Sequence, residues 1–396
     1  MRSRGKADVW PVRAVTALGG LSGLAVAAWV WLLVARGGFW RADQRLPDAT
    51  PELARWPEVV AVVPARNEAA SIGAAVASLL GQDYPGRFSV VVVDDGSDDG
   101  TAAIAKTAAK ADPRFHIVRG APLPPDWTGK LWAMHRGLAE AGKLAPDAVY
   151  VLLTDADIVH EPANLRRLVG HAESKRLHLV SLMVKLRCER AWEKILIPAF
   201  VFFFQKLYPF PWVNDAAKST AAAAGGCMLV RKDTLAAAGG IERIRGSLID
   251  DCALAREIKA RAPIWLGLAE RTASLRPYDR LGEVWRMVAR SAFAQLNHSV
   301  WALVGTLLGM LVLYVVPPFA TVYGVAIGDA TLARAGAAGW VLMAVAYWPA
   351  VRMYGLSPVY ALTLPLAGAL YALMTADSAR RHWQGAPAGW KGRSYS

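Results

Sequence analysis

The chain has 396 residues, of which 54% are hydrophobic and 19% are charged, and its formal net charge is +13. Such an apolar content with only three cysteines excludes a disordered chain, a collagen and a disulfide-stabilised scaffold. Three thiols in a chain of this length are typical of a reducing compartment.

The chain begins with a basic segment over residues 1–13, which an uncharged apolar run over 14–35 follows. This run is long enough to cross a hydrocarbon core of about 30 Å as a helix, so we predict a transmembrane helix there. A secretory signal peptide is the alternative, because basic residues precede the run. The run is, however, longer than a usual signal core, and no small-residue cleavage site follows it before Arg36.

The middle of the chain, residues 55–275, has the sequence pattern of a soluble α/β domain. Strands are predicted at 59–64, 89–93, 116–118 and 148–154, and helices at 68–80, 96–109, 132–141 and 252–259. Strands that alternate with helices indicate a mainly parallel sheet. Ligands bind such sheets at the C-terminal ends of the strands, where this chain has polar clusters at 65–68, 94–97 and 155–157.

Each polar cluster has a structural and a functional interpretation. The sequence after the second strand, 94–97, has the composition of a turn and a helix N-cap. Asp155 and Asp157, two residues apart at a strand end, can converge on one Mg²⁺ or Mn²⁺ ion, since hard cations prefer carboxylate oxygens. Asp250 and Asp251 precede a predicted helix, where they can cap it or supply a general base.

The last third of the chain is predicted to return to the membrane. Residues 276–298 are expected to form an interfacial amphipathic helix. Residues 299–376 contain only three charged side chains and predict about three spans, near 300–328, 337–351 and 356–376. Pro317 and Pro318 are expected to kink the first of these spans. A basic tail, 377–396, follows.

An aromatic segment within the middle domain, residues 195–213, contains three prolines and is too interrupted for a span. We predict an interfacial or re-entrant helix near the acceptor, with a buried core helix as the alternative. The seven histidines show no spacing typical of metal ligands, and the three cysteines are most simply packed thiols.

Most of the positive charge flanks the apolar segments. Residues 55–275 carry a net charge of +4, whereas 1–54 carry +3 and 276–396 carry +6. This distribution favours an anionic membrane surface as the partner over a nucleic acid. No zinc finger, RNP motif or base-reading basic helix is recognised in the sequence, so we expect no nucleic-acid partner.

Six short motifs in the middle domain resemble those of the family 2 glycosyltransferases, which are inverting enzymes of the GT-A fold. The matching pieces, in family order, are 62–68 (VVPARNE), 92–99 (VVDDGSDD), 129–130 (GK), 155–157 (DAD), 225–231 (GGCMLVR) and 250–251 (DD). The resemblance implies an α/β GT-A domain whose mainly parallel sheet is flanked in the chain by transmembrane helices. A Rossmann dehydrogenase is disfavoured, because no G-x-G-x-x-G motif follows the first strand.

Further pieces resemble the hopene-associated branch of this family, and some carotenoid glycosyltransferases share them. These pieces are 122–130 (PLPPDWTGK), 354–358 (YGLSP) and 390–393 (WKGR). They imply an acceptor that is a polyisoprenoid or another lipid.

The resemblance assigns the nucleotide pocket to the ends of the first two strands. Pro64, Ala65 and Glu68 would line it, with Glu68 near the ribose or base. Asp95, together with Asp94, would contact the nucleoside.

The resemblance assigns the reacting groups to charged residues farther along the chain. Lys130 would lie near the nucleotide or its phosphates. Asp155 and Asp157 would form the DxD motif that holds Mg²⁺ or Mn²⁺. Asp251 would be the catalytic base, with Asp250 beside it.

Two further positions carry a weaker implication. Gly226, with Gly225, would let the backbone approach the donor sugar or the acceptor closely. Arg290 matches part of the Q/R-x-x-R-W motif of processive members and would contact the diphosphate. The Gln or Arg and the Trp of that motif are missing here, which argues against a processive synthase. A basic helix that rests on lipid head groups is the alternative.

The resemblance implies a membrane-bound, metal-dependent inverting glycosyltransferase. The donor would be a nucleotide sugar, with a UDP-sugar preferred, and the acceptor a lipid. A polyprenyl-phosphate acceptor and a non-catalytic nucleotide-binding scaffold are the alternatives. The expected location is a bacterial-type cytoplasmic membrane with the domain facing the cytoplasm, although the basic N-terminus would then lie outside, against the positive-inside tendency.

Overall fold

The structure, a computed structural model, describes residues 9–385, 388–390 and 393–395, with side chains described for 13–385. Residues 1–8 of the predicted basic segment, and 386, 387, 391, 392 and 396 of the predicted tail, lie outside the described residues. The chain divides into two compact units. The helical unit comprises the described residues of Met1–Ala42, Cys188–Pro209 and Tyr278–Ala386. The sheet unit comprises those of Asp43–Arg187, Phe210–Pro277 and Pro387–Ser396.

The helices and strands are numbered in chain order. The strands are β1 (Val59–Ala65), β2 (Phe88–Asp94), β3 (Phe115–Arg119), β4 (Tyr150–Thr154), β5 (Ile158–Val159), β6 (Leu179–Lys185), β7 (Cys227–Arg231), β8 (Ile264–Ser274), β9 (Ala388–Trp390) and β10 (Arg393–Tyr395). The helices are α1 (Val9–Ala35), α2 (Ile72–Leu80), α3 (Thr101–Ala109), α4 (Gly129–Leu144), α5 (Asn164–Lys175), α6 (Ala191–Leu207), α7 (Phe210–Val213), α8 (Lys232–Ala237), α9 (Asp250–Lys259), α10 (Leu281–Ala289), α11 (Ala292–Gln295), α12 (Val300–Met310), α13 (Val316–Ile327), α14 (Ala330–Met353) and α15 (Leu364–Trp383). Short 3-10 helices lie at Phe39–Arg41, Ile241–Ile244 and Pro358–Thr363.

Eight strands of the sheet unit form one sheet in the order β3-β2-β1-β4-β7-β6-β8-β5. Strands β3, β2, β1 and β4 pair in parallel, as do β6 and β8, whereas β7 is antiparallel to both neighbours and β5 to β8. Every residue of β1 and β4 is buried, as the continuous apolar runs of these central strands require. The predicted mainly parallel α/β fold is confirmed.

Helices α2 and α3 begin later than the sequence pattern predicts. Asn67 has a φ of 51°, and a turn follows in which the Ile72 N–H donates to the carbonyl of Glu68 over 2.9 Å. Gly96 and Gly100 have φ values of 70° and 88°. These left-handed conformations are incompatible with a helix, so the polar strand-end segments form loops instead.

Helix α4 begins earlier than predicted, because Thr128 caps its N-terminus by accepting a hydrogen bond from the Leu131 N–H. Farther along this helix, a Cβ at Gly137 would collide with the side chains of Val62 and Val93. Glycine therefore lets α4 lie directly against the sheet, and this close packing fixes the N-terminal turn of α4 at the strand ends.

The helical unit contains helices that are long and apolar enough to cross a membrane. Among the described residues they are Arg13–Ala35, Val300–Ile327, Ala330–Met353 and Pro358–Trp383. The last three correspond to the three spans predicted after residue 298. A π-helical segment, Leu311–Val315, precedes Pro317 and Pro318, because a proline ring cannot donate to the helix ladder and displaces the carbonyl four residues earlier.

Helix α6 packs within the helical unit. The Phe202 ring lies 5.4 Å from that of Tyr347, and the Phe203 ring 4.9 Å from that of Tyr371. These contacts join α6 to α14 and α15. The segment predicted over 195–213 is thus divided between α6 and the short α7, and its interfacial or re-entrant placement stays a prediction.

Candidate active site

The polar loops that follow β1 and β2 meet at one edge of the sheet. Ala65 and Asp94 are register partners at the ends of these strands. The Asn67 N–H donates to Ser97 Oγ over 3.0 Å, and the Asp98 N–H donates to Asn67 Oδ1 over 3.1 Å. The first two predicted clusters are therefore brought together by hydrogen bonds between their loops.

Lys130, in the first turn of α4, joins two acidic motifs that are far apart in the chain. Its Nζ lies 2.9 Å from Asp155 Oδ1 and 3.2 Å from Asp250 Oδ2. Burial disfavours the charge on this amine, but the carboxylates of Asp155 and Asp250 raise its pKa above the usual value. The lysine is thus a cation held between the DxD motif and the second Asp pair.

Asp251, in the first turn of α9, is held by backbone donors. Its Oδ2 accepts from the Gly225 N–H over 2.9 Å and its Oδ1 from the Cys252 N–H over 2.7 Å. Burial and then the charge of Asp250 raise the pKa of Asp251 to about 6, although Lys130 and these N–H groups oppose the rise. A carboxylate with this pKa is a stronger base than an exposed aspartate.

The side chains of Asp155 and Asp157 are of the type that Mg²⁺ and Mn²⁺ prefer as ligands. Asp155 uses Oδ1 toward Lys130, and Asp157 accepts from Ser274 Oγ through Oδ2 over 2.7 Å. Within residues 13–385, no group of three or more His, Cys, Asp or Glu side chains could hold a metal by itself. Two carboxylates fit Mg²⁺, which is commonly bound by one or two carboxylates together with substrate phosphates.

The glycine pair before β7 is tightly enclosed. A Cβ at Gly225 would lie 3.2 Å from Lys130 Nζ and 3.5 Å from Asp251 Oδ2. A Cβ at Gly226 would lie 3.0 Å from Val184 Cγ2. Packing inside the sheet unit thus accounts for Gly226, and its close approach to a donor or acceptor stays a prediction.

The residues predicted to line the nucleotide pocket differ in exposure. Pro64 and Ala65 are buried in β1, and Glu68 is half-buried in the following turn. Asp94 is half-buried, whereas the Asp95 side chain has no exposed surface. Contact of Asp95 with a nucleoside would require the neighbouring loops to move, so its role stays a prediction.

Arg290 belongs to the helical unit, where it caps the C-terminus of α10. The single helix expected over 276–298 is instead two helices, α10 and α11, because Ser291 leaves the helical conformation at φ −126° and ψ −9°. The expected contact of Arg290 with a diphosphate stays a prediction.

Two contacts at the site were not predicted from the sequence. Ser274 reaches Asp157 from the end of β8, and His160 lies within hydrogen-bond distance of Thr154, directly before the DxD motif. Ser274 lies more than a hundred residues after Asp157 in the chain, so no motif spacing connects the two residues. His160 follows the motif by three residues, but nothing in the sequence distinguishes it from a loop histidine.

The middle of the chain matches one protein family. Residues 60–237 match the family model described as glycosyl transferase family 2. The matched range contains Lys130 and the DxD motif and ends before Asp250 and Asp251. The match supports the resemblance seen in the six motifs.

Curated relatives match part of the chain. A protein of Synechocystis sp. named beta-monoglucosyldiacylglycerol synthase is 34% identical over 163 residues, which are 37% of this chain and 32% of the relative. An N-acetylglucosaminyltransferase of Rhizobium leguminosarum bv. phaseoli is 34% identical over 119 residues, 29% of this chain and 27% of that relative. The chain thus spans about a third or less of the length of these relatives.

A solved structure is similar over nearly the whole chain. It is a mannosyltransferase from Pyrobaculum calidifontis in complex with GDP-Man and Mn²⁺, with a TM-score of 0.54 and 19% sequence identity. The match covers 93% of this chain and 99% of that one. At this identity the likeness shows the fold, which agrees with the predicted GT-A class.

Proposed function

We propose that the chain is a membrane-bound, metal-dependent inverting glycosyltransferase that moves a sugar from a nucleotide sugar to a lipid. The observation that carries the proposal is the cluster in which Lys130 joins Asp155 to Asp250, beside an Asp251 held by two backbone N–H groups. This arrangement combines a cation for phosphates, carboxylates for a metal and a base of raised pKa. The family match and the glycosyltransferase names of the relatives support the same activity.

The proposed reaction needs one proton acceptor and one stabilised leaving group. Asp251 accepts the proton of the acceptor hydroxyl as its oxygen bonds to the anomeric carbon, and the bond from that carbon to the diphosphate breaks with inversion. Lys130 stabilises the negative charge on the departing diphosphate. Asp155 and Asp157 would hold a Mg²⁺ or Mn²⁺ ion, which offsets the same charge when it is bound.

The lipid acceptor is the finer part of the proposal. Four apolar helices of spanning length in the described part of the chain support a membrane-bound protein. One relative is named for the synthesis of a glucosyl diacylglycerol. We propose a hopanoid or another isoprenoid lipid as acceptor, a UDP-sugar as donor, and a bacterial-type cytoplasmic membrane with the domain on the cytoplasmic side.

The test uses the purified full-length protein with a panel of nucleotide sugars, Mn²⁺ or Mg²⁺ and a lipid extract. Mass spectrometry of the lipids should reveal a new glycolipid. Asp251→Asn should reduce transfer by about 100- to 10,000-fold and leave nucleotide binding intact, because it removes the base alone. Asp147→Asn, at an exposed carboxylate before β4, is the control.

Three results would change the proposal. Near-normal transfer by Asp251→Asn would contradict the assigned base. A mild loss with transfer to polyprenyl phosphate would favour a phosphate acceptor, which needs no strong base. Nucleotide binding without transfer or donor hydrolysis would indicate a non-catalytic scaffold.

A further inference from the structure

A buried row of hydrogen-bonded side chains lies directly behind the DxD motif. Asn164 Nδ2 is 2.9 Å from His160 Nδ1, and His160 Nε2 is 3.0 Å from Thr154 Oγ1. Thr154 Oγ1 donates to the carbonyl of Gly226 over 2.7 Å. The exposed fractions of Thr154, His160 and Asn164 are 2%, 3% and 1%, so water does not compete for these groups.

The chemistry of the groups fixes the direction of this row. A carbonyl only accepts, so the single hydroxyl proton of Thr154 points to Gly226. The Thr154 oxygen must then accept from His160 Nε2, which therefore carries the ring proton. His160 Nδ1 is left to accept from the Asn164 amide. Burial lowers the pKa of His160 to about 4, which keeps the ring neutral near pH 7.

The row connects the two halves of the proposed site. Thr154 is the last residue of β4, immediately before Asp155, and pairs with Cys227 in the adjacent strand. Gly226 lies in the turn before β7, and the preceding Gly225 donates the N–H that holds Asp251. The row thus joins the backbone that carries a DxD carboxylate to the backbone that holds the base.

The other side of this turn is fixed separately. The buried Ser181 hydroxyl accepts from the Ala224 N–H over 2.9 Å and donates to the Ala224 carbonyl over 3.1 Å. Ser181 therefore anchors the start of the turn to β6, whereas Thr154 anchors Gly226 to β4. Without the contact of Thr154, the Ser181 hydrogen bonds would still hold the start of the turn, but Gly226 would have one tie fewer to β4.

We propose that His160 is a positioning residue, which holds Thr154 against Gly226 and so sets the placement of Asp251 relative to the DxD carboxylates. The inference rests on the proposed function, since it takes these carboxylates as base and metal ligands. Without its N–H donor, the Thr154 hydroxyl can rotate away from Gly226. A displacement of about 1 Å at reacting groups costs on the order of 100-fold in rate, so kcat should fall more than substrate affinity.

Matched variants of the full-length protein test this role. His160→Gln keeps an amide N–H near the position of Nε2, whereas His160→Asn is too short to reach Thr154. Thr154→Ser keeps the hydroxyl, and Thr154→Val removes it at similar shape. We expect kcat to fall about tenfold or more in His160→Asn and Thr154→Val, with the donor KM within about threefold of wild type.

The conservative variants provide the rescue. His160→Gln and Thr154→Ser should keep kcat within about threefold of wild type, and the double variant His160→Asn/Thr154→Val should be no slower than the slower single variant. Equal kcat in His160→Asn and wild type would overturn the proposal. An equal loss of kcat in His160→Gln and His160→Asn would also overturn the proposal, because the ring would then serve only in packing.

Hydrogen–deuterium exchange gives a readout that needs no turnover. Peptides that cover residues 221–231 should exchange faster in His160→Asn and Thr154→Val than in wild type or His160→Gln. If wild type turned over no nucleotide sugar, the proposed function would fail, and exchange alone would decide whether the row holds the turn. Unchanged exchange in both deletion variants would overturn the inference.

Discussion

The ammonium nitrogen of Lys130 lies 2.9 Å from a carboxylate oxygen of Asp155, and the same nitrogen contacts Asp250. One cation thus separates carboxylates from two distant parts of the chain at the C-terminal edge of the sheet. Without it, these partly buried carboxylates would repel one another. In the proposed reaction, the cation also provides a contact for the diphosphate.

Lys130→Met should weaken nucleoside diphosphate binding by about tenfold or more, because charge-assisted bonds to phosphate are stronger than neutral ones. The measurement is the Kd for UDP or GDP with Mn²⁺ present. Lys143→Met is the matched control, since Lys143 is an exposed lysine at the other end of the same helix. Equal affinities in the two variants would show that Lys130 serves only to neutralise its carboxylate neighbours.

Ser274→Ala should raise the Mn²⁺ or Mg²⁺ concentration that gives half-maximal turnover by about 10- to 100-fold, as expected for loss of a residue that orients a metal ligand. The reason is the hydrogen bond from Ser274 Oγ to Asp157 Oδ2. Saturating metal should restore most of the turnover, and EDTA should abolish it. Ser174→Ala, at an exposed serine of α5, is the control. A wild-type metal requirement in Ser274→Ala would argue against Asp157 as a ligand.

Turnover should depend on pH through Asp251, whose pKa is raised to about 6 by burial and by Asp250. A base acts when it is deprotonated, so the rate should be level above this pKa and fall about tenfold per pH unit below it. The residual rate of Asp251→Asn should lack this decline. Stability has the opposite sign: the contribution of the protonated form is lost as pH rises from about 4 to about 6, while the rate rises. A rate profile that is flat from pH 5 to pH 8 would contradict the assignment.

Gly137→Ala should destabilise the sheet unit by about 1–3 kcal/mol, because the new methyl group would overlap the side chains of Val62 and Val93. Gly142→Ala is the matched control on the same helix. A Cβ at Gly142 meets nothing within 4 Å, so this change should stabilise the helix by about 0.5–1 kcal/mol. Thermal melting of the two variants should therefore shift in opposite directions. A shift in the same direction would mean that α4 does not rest on the sheet as closely as the structure indicates.

The sequence predicts the parallel part of the sheet well, for a physical reason. Strands buried on both faces, such as β1 and β2, have continuous valine-rich runs, and the polar residues that follow them must lie at one edge. The Asp pairs at 94–95 and 155–157 are therefore identifiable as candidates, whereas the pair at 250–251 precedes a helix and is a candidate for a cap or a base. The expectation that Lys130 lies near the phosphates rests on the resemblance alone.

The contacts between these motifs could not be predicted in the same way. Strand β5 has only two residues, too few to show a period, yet its pairing with β8 brings Ser274 to Asp157. The row from Asn164 to Gly226 depends on side chains that meet only after β4 and β7 have paired. Helix α3 begins only after Gly96 and Gly100, which have positive φ angles. The hydrophobic pattern of a sequence carries no information on these backbone angles.

The interruption of the sheet unit by Cys188–Pro209 has a consequence for the order in which the proposed site is assembled. Strand β7 and the segment that carries Asp251 are synthesised only after this excursion, although β7 pairs with β4 from before it. A nascent chain that has reached the excursion contains β1, β2 and β4 but lacks Asp251, the proposed base. Because contacts that close long loops form late, we expect the proposed site to be complete only after β7 has paired with β4. A polypeptide stalled before that point would hold the proposed donor-binding residues without the ability to transfer its sugar.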